Sequence, residues 1–252
     1  MNEPNKISVI IITKNEEVNI NQCLDSVKWA DEIIVVDAES ADKTLELAKA
    51  FTDKIFIRRW IGYSDQKSYA LSLANNEWVL SLDADERVTE ELKSEILLGE
   101  LSAFDGYKIS RANYFLGKLI RGCGWNHDYQ LRLFRKSKTK VTDRMVHEGF
   151  IVEGKISELN SPMLHYSYRN FHDAMNKINK YSTLEAEEKY KRIKVGAFSI
   201  LFKPFIAFIQ FFIFRKGFID GTYGLLVSIM HGMTKMMMYI KIWELQKKNK
   251  SL

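Results

Sequence analysis

The chain has 252 residues, 46% hydrophobic and 27% charged, enough for one large α/β domain with a substantial core. Its only cysteines, Cys23 and Cys123, argue against a disulfide framework and fit a reducing cytosol; residues 1–6 carry no apolar signal-peptide region, so export is not expected. The net charge of +5 hides an asymmetry, because residues 189–252 hold 12 Lys/Arg against 2 acids (+10) while the remainder holds 25 against 30 (−5). The basic stretch is also the most apolar. That combination points to an anionic membrane surface and away from nucleic acid, with a solvated basic helical tail as the plainer alternative.

Residues 7–12 form a short apolar run rich in β-branched side chains, which reads as a buried parallel strand. Polar Thr13, Lys14, Asn15, Glu16 and Glu17 follow it, and Val18, Cys23, Leu24 and Val27 then recur at helical spacing. Residues 33–36 read as a second buried strand ending in Asp37. Ser40 is positioned to cap the next helix, whose apolar positions are Leu45, Leu47, Ala48 and Phe51. Residues 55–57 read as a third strand, and Ser64 as the cap of a third helix that turns Tyr69, Ala70, Leu73 and Ala74 to the sheet. Strands and helices alternating through short links predict a doubly wound parallel sheet.

Residues 78–82 read as a fourth strand that runs into Asp83-Ala84-Asp85-Glu86. Side chains alternate along a strand, so Asp83 and Asp85 are expected on one side with Ala84 opposite. Two hard oxygen donors there can hold Mg²⁺ or Mn²⁺ against a diphosphate, although a polar turn after a strand gives the same letters. Ligands of such sheets sit beyond the carboxyl ends of the strands, where Thr13, Asn15, Glu16, Asp37, Asp83 and Asp85 all fall. No Gly-x-Gly-x-x-Gly follows the first strand and no Gly-Lys-Ser/Thr loop is present, so dehydrogenase and P-loop readings lack their phosphate loops.

Residues 107–109 and 131–135 look like strands around a glycine-rich stretch at Gly122-Cys123-Gly124, an expected mixed extension of the sheet that carries acceptor contacts. Residues 171–194 read as a polar helix. In residues 197–214, Phe198, Phe202, Phe205, Phe208 and Phe212 step by three and four, with Pro204 expected to disturb or delimit the helix. The segment is marginal for a span, which needs about 20 apolar residues, and it contains Lys203, so a helix lying in the membrane interface is preferred. The methionines of residues 225–242 read as packing. The expected division is a catalytic domain over 1–170 and a helical, basic, apolar, membrane-associating tail over 171–252.

Four stretches together resemble a known family: residues 8–16; 34–37 with Ser40-Ala41-Asp42-Lys43-Thr44; 82–86; and 130–135 with Val146-His147-Glu148. They are similar to GT-A glycosyltransferases of the large inverting family 2, in the lipopolysaccharide-core glucosyltransferase-like branch. Residues 215–221 with 241–244 resemble the end of that branch. Two departures are Ala38-Glu39, where members often carry glycine, and the missing Gln-x-x-Arg-Trp of processive synthases, which favours single addition.

The resemblance implies a GT-A (Rossmann-like) mixed, mostly parallel sheet flanked by helices. It implies a UDP-sugar donor, with glucose first among the hexoses, a divalent cation, and a lipopolysaccharide-core or lipid-linked glycan as acceptor. It places Thr13, Asn15 and Glu16 around the nucleotide, Asp37 at uracil or ribose with a helix-entry turn residue as the alternative, and Lys67 toward the diphosphate with a solvated lysine as the alternative. Asp85 becomes the first metal ligand, Asp83 a ribose contact or second ligand, and His165 a third ligand or a core histidine. Glu148 is the implied base, with Asp128 as fallback and His147 beside it. Arg132 and Arg135 are candidates for phosphate or acceptor charge, or for the outer sheet, and Trp125 for a sugar platform or core packing. The implied location is cytoplasmic, peripheral on the inner face of a bacterial plasma membrane. Two other readings are a nucleotidyltransferase making a nucleotide-sugar, which the missing glycine-rich, basic start opposes, and a non-catalytic UDP-binding membrane module, which the joint presence of Asp83, Asp85 and Glu148 opposes.

Overall fold

The computed structural model describes residues 5–142 and 149–248. The strands are β1 (Ile7–Thr13), β2 (Glu32–Asp37), β3 (Ile55–Ile57), β4 (Trp78–Asp83), β5 (Glu86–Arg87), β6 (Gly106–Phe115), β7 (Lys118–Leu119), β8 (Tyr129–Arg135), β9 (Thr139–Val141), β10 (Phe150–Val152), β11 (Ile156–Glu158) and β12 (Met163–Tyr168). The helices are α1 (Ile20–Asp25), α2 (Thr44–Ala48), α3 (Tyr63–Leu73), α4 (Glu90–Leu98), α5 (Phe171–Lys189), α6 (Ala197–Ile209) and α7 (Thr222–Lys248). They form two compact units, one from Met1–Arg111 and Tyr129–His165, the other from Ala112–Asp128 and Tyr166–Leu252.

In the first unit the sheet runs β3-β2-β1-β4 with all four strands parallel, and β8 and β6 then continue it antiparallel. The α/β class expected from the sequence is the one observed. β1 and β2 are buried almost throughout, because both faces of the parallel region are covered. Alternation sorts their side chains. Val9, Ile11 and Val35 join Cys23, Leu24, Val27, Leu92 and Ile96 in one apolar layer. Ile10, Ile34 and Val36 join Ala70, Leu71, Phe134 and Phe150 in the other.

Three local expectations are corrected. Ser40 does not cap α2, since its hydroxyl donates to Asp37 and α2 begins only at Thr44. Ser64 lies inside α3, which starts after Gly62, and its hydroxyl donates to the Thr142 carbonyl. Val18 precedes α1 and is exposed, so the helical spacing holds only from Ile20 onward.

In the second unit α5 is capped by Asn170, whose side chain accepts the Asp173 N–H. An apolar cluster joins Phe115, Ile120, Cys123, Ala174, Ile178, Val227 and Met230. Met230 and Met238 are buried, as a packing stripe requires. α6 runs through Pro204 instead of stopping there, then closes in a wider turn over Gln210–Phe214. A proline inside a helix costs about 3 kcal/mol. Packing against α7 offsets it: Gly232 comes so near that an added Cβ would sit 3.1 Å from the Pro204 carbonyl oxygen.

Candidate active site

Three parallel strands end level at one edge. Thr13 at the end of β1 is in register with Asp37 at the end of β2, and Ile12 is in register with Asp83 at the end of β4. The loops beyond them are tied together by polar side chains. The buried Asp37 carboxylate accepts the Ser40 N–H (2.8 Å) and hydroxyl (2.5 Å). Asn15, held at φ 54°, donates its N–H to the Ser40 hydroxyl (2.7 Å) and accepts the Ala41 N–H (2.8 Å). Glu16 donates its N–H to the Thr44 hydroxyl (2.8 Å), and its carboxylate accepts from the Asn19 side chain (2.8 Å). Thus Asn15, Glu16 and Asp37 build the rim of this edge as well as lining it. The Thr13 hydroxyl beneath them is buried without a hydrogen-bond partner among the described residues. A buried hydroxyl left this way costs roughly 1–3 kcal/mol, which a polar ligand atom can recover.

β4 stops at Asp83, and Ala84 and Asp85 form a turn into β5. The two aspartates therefore do not share a strand face as alternation predicted. The Asp83 carboxylate accepts Arg132 Nη2 at 2.5 Å, whereas Asp85 lies 3.6 Å from His165 Nε2 on β12. Burial raises the proton affinity of Asp83, but the positive charges of Arg132, Lys67 and Arg111 outweigh it and hold its carboxyl well below the usual range. Arg87 fastens the turn, donating to the carbonyls of Ala84 (2.8 Å) and Glu86 (2.7 Å). The Cys23 Sγ lies 3.7 Å from the Asp83 carbonyl oxygen, and burial pushes its pKa up to about 12, so it stays a thiol.

Asp83, Asp85, His165 and Arg132 come together at this turn. Among the described residues no group of three or more His, Cys, Asp or Glu side chains is placed to hold a metal, so the three predicted ligands do not converge as one set. Asp85 and His165 form a pair of donors, while Asp83 is committed to Arg132. Lys67 is buried on α3 with its Nζ 6.0 Å from the Phe150 ring centroid. Arg135 stacks on Trp78, its guanidinium carbon 4.8 Å from the ring centroid. Asp128 belongs to the second unit, where its carboxylate accepts from Asn113 at 3.1 Å. Trp125 packs against Phe115 and Tyr168 in the apolar cluster. Glu148 and His147 lie outside the described residues. Sequence reasoning gave no part to Glu86, Arg87, Arg111 or Asn113. Glu86 and Arg132 are an acid and a base both fully or nearly buried, a pairing that the strand pattern of residues 129–135 only hinted at.

The profile of the family described as Glycosyl transferase family 2 matches residues 8–152, more than half of the chain and all of the strand edge just described. This chain belongs to glycosyl transferase family 2. A family relative from Rickettsia typhi, described only as an uncharacterized glycosyltransferase, is 32% identical over 98% of this chain and 90% of its own length. The lipopolysaccharide core biosynthesis glycosyltransferase LpsC of Rhizobium meliloti is 32% identical over 84% of this chain and 82% of its own. Among solved structures, S. aureus TarS (residues 1–349) aligns over 97% of this chain and 92% of that one, with 16% identity and a TM-score of 0.48.

Proposed function

We propose that this family 2 glycosyltransferase moves a hexose, glucose first, from a UDP-sugar to a hydroxyl of a lipopolysaccharide-core or lipid-linked glycan, with inversion, at the cytoplasmic face of a bacterial plasma membrane. The observation that carries the reading is the strand edge: laced loops at Asn15, Glu16 and Asp37 stand beside a carboxylate turn backed by cationic side chains. Likeness to LpsC favours the acceptor class.

In this reading Thr13, Asn15, Glu16 and Asp37 frame the uracil and ribose, since a carboxylate can accept the uracil N–H. Lys67 places positive charge toward the diphosphate. The Asp85 carboxylate suits Mg²⁺ or Mn²⁺, so Asp85, with the His165 imidazole beside it, would hold the cation. A bound cation would offset charge developing on the departing UDP. Asp83, clamped by Arg132, faces the ribose or completes the metal shell. Glu148 is the proposed base and Asp128 the alternative. The base takes the acceptor hydroxyl proton as that oxygen attacks the anomeric carbon opposite the departing UDP.

The catalytic part is proposed to span 1–170 and the tail 171–252. Among the described residues one helix, Ala197–Phe214, is apolar enough by length and composition to cross a membrane, with mean hydropathy 2.0 and only 6% of it buried. Lys203 within it and the exposed Phe198, Phe202 and Phe205 support a helix lying in an anionic interface.

The test is incubation of purified protein with UDP-sugars and Mn²⁺. Release of UDP, with transfer to a lipid-linked acceptor, is expected. With UTP and a sugar 1-phosphate supplied in place of the UDP-sugar, release of pyrophosphate with a new nucleotide-sugar would instead mark a nucleotidyltransferase, and UDP binding without turnover would mark a binding module.

A further inference from the structure

Glu86 has no exposed surface, and nothing above assigns it a role. Its Oε2 accepts the Asp83 N–H at 3.0 Å, and its Oε1 accepts Arg132 Nη2 at 2.6 Å and Arg111 Nη1 at 3.4 Å. The same Arg132 nitrogen donates to the Asp83 carboxylate at 2.5 Å. The side chains of Glu86 and Arg132 are 0% and 5% exposed. Taking such charges out of water costs several kcal/mol per ion unless they are paired. Here two acids, Asp83 and Glu86, face the guanidinium groups of Arg132 and Arg111, and the positive charge of Lys67 also acts on Asp83, so Glu86 supplies one of the two negative charges that offset these cations. His165, the neighbour of Asp85, is the backbone partner of Glu86 across β12 and β5. The cluster therefore lies next to the Asp85–His165 pair.

We propose that Glu86 is a positioning residue of the donor site: acting through Arg132 it fixes the Asp83 carboxylate, and its charge keeps the field at Asp85 attractive to a divalent cation. The inference rests on the donor reading given above. Without the Glu86 charge, the cationic groups around Asp83 lose one of their two counter-charges, and net positive charge builds up beside the proposed cation position. A purely structural Glu86 would influence folding stability alone.

The experiment uses the full chain and reads Mn²⁺ binding directly by electron paramagnetic resonance of the free ion, with UDP saturating, and UDP binding by calorimetry without metal. Glu86→Gln is expected to weaken Mn²⁺ binding roughly tenfold or more while metal-free UDP binding stays within about threefold. Glu86→Asp keeps the charge and should bind Mn²⁺ within about threefold of the parent. Mn²⁺ binding by Glu86→Gln equal to the parent's overturns the inference. So does a loss in Glu86→Asp as large as that in Glu86→Gln, since packing would then explain both. If Glu86→Gln does not fold, the double variant Glu86→Gln/Arg111→Met removes one charge of each sign while keeping the Arg132 clamp on Asp83, and is measured in its place. It should hold Mn²⁺ within about threefold of the parent, and a folded double variant that loses tenfold overturns the inference. A parent that binds no Mn²⁺ in the presence of UDP refutes the donor reading and this inference with it. A parent that binds normally beside an unaffected Glu86→Gln refutes this inference alone.

Discussion

Glu32, at the start of β2, is a buried acid with a structural duty. Its carboxylate accepts the Ser8 hydroxyl (2.5 Å), the Asn75 N–H (2.8 Å) and the Asn75 side-chain amide (2.6 Å), and it pairs with Lys54. Burial raises its pKa, but the hydrogen bonds from Asn75, Lys54 and Ser8 outweigh this and lower it from 4.5 to about 2. A depressed carboxylate stabilises the fold above its unfolded pKa and loses that contribution as pH falls through the folded one. The effect is therefore complete above about pH 5 and fades toward pH 2, worth about 3 kcal/mol. Urea unfolding should find Glu32→Gln less stable than the parent at pH 7, with the gap closing by pH 2. For the proposed base, Glu148→Gln is expected to lower kcat by about 10²- to 10⁴-fold with donor KM little changed. Unchanged kcat moves the assignment to Asp128. Sequence alone located Thr13, Asp37 and Asp83 at strand ends, because apolar runs stop where the sheet stops. It could not show that Asp85 leaves the strand, because alternation presumes that pairing continues, and pairing ends at Asp83.

At the scale of elements, the strands were legible because fully buried parallel strands are written as unbroken apolar runs. Caps were less legible. Ser40 and Ser64 each had a competing hydrogen-bond partner that only the folded chain supplies. The closeness of α6 and α7 was hidden because it sets Gly232 against Pro204, far apart in sequence, and the corner before α7 is tight as well. A Cβ on Gly224 would lie 1.8 Å from the Gly217 carbonyl oxygen, and one on Gly122 would lie 2.3 Å from that of Lys216. Asp220 fastens the same corner, accepting the N–H groups of Arg121 and Gly122. Gly224→Ala should destabilise the protein by about 3 kcal/mol in thermal or urea unfolding, the upper end for overpacking. Gly117→Ala meets no neighbour and should lose only about 1–2 kcal/mol, from its φ of +78°. On α6, Phe202 and Phe205 are 49% and 62% exposed. Burying one phenylalanine in lipid is worth about 1.5–3 kcal/mol, so Phe202→Glu/Phe205→Glu should weaken liposome binding at least tenfold in co-sedimentation. Binding that survives this double change would remove α6 from the interface.

For the whole molecule, the sequence separates a net acidic portion from the basic, apolar residues 189–252. Attraction to anionic lipid should weaken as salt shortens the screening length to about 8 Å at physiological strength, while the apolar share of binding persists. Liposomes lacking anionic lipid should then retain only a fraction of the protein. The family was readable from motif order, but the sugar was not, because epimers differ by one hydroxyl and no motif reports it. The account as a whole depends on a uridine diphosphate held with a divalent cation at Asp85. Calorimetric titration of UDP into the full chain, with Mn²⁺ and with a chelator, for the parent and for Asp85→Ala, tests this most directly. UDP binding by the parent that Mn²⁺ tightens, with that gain lost in a folded Asp85→Ala, is the expected result. Metal-independent UDP binding that Asp85→Ala leaves intact would contradict it.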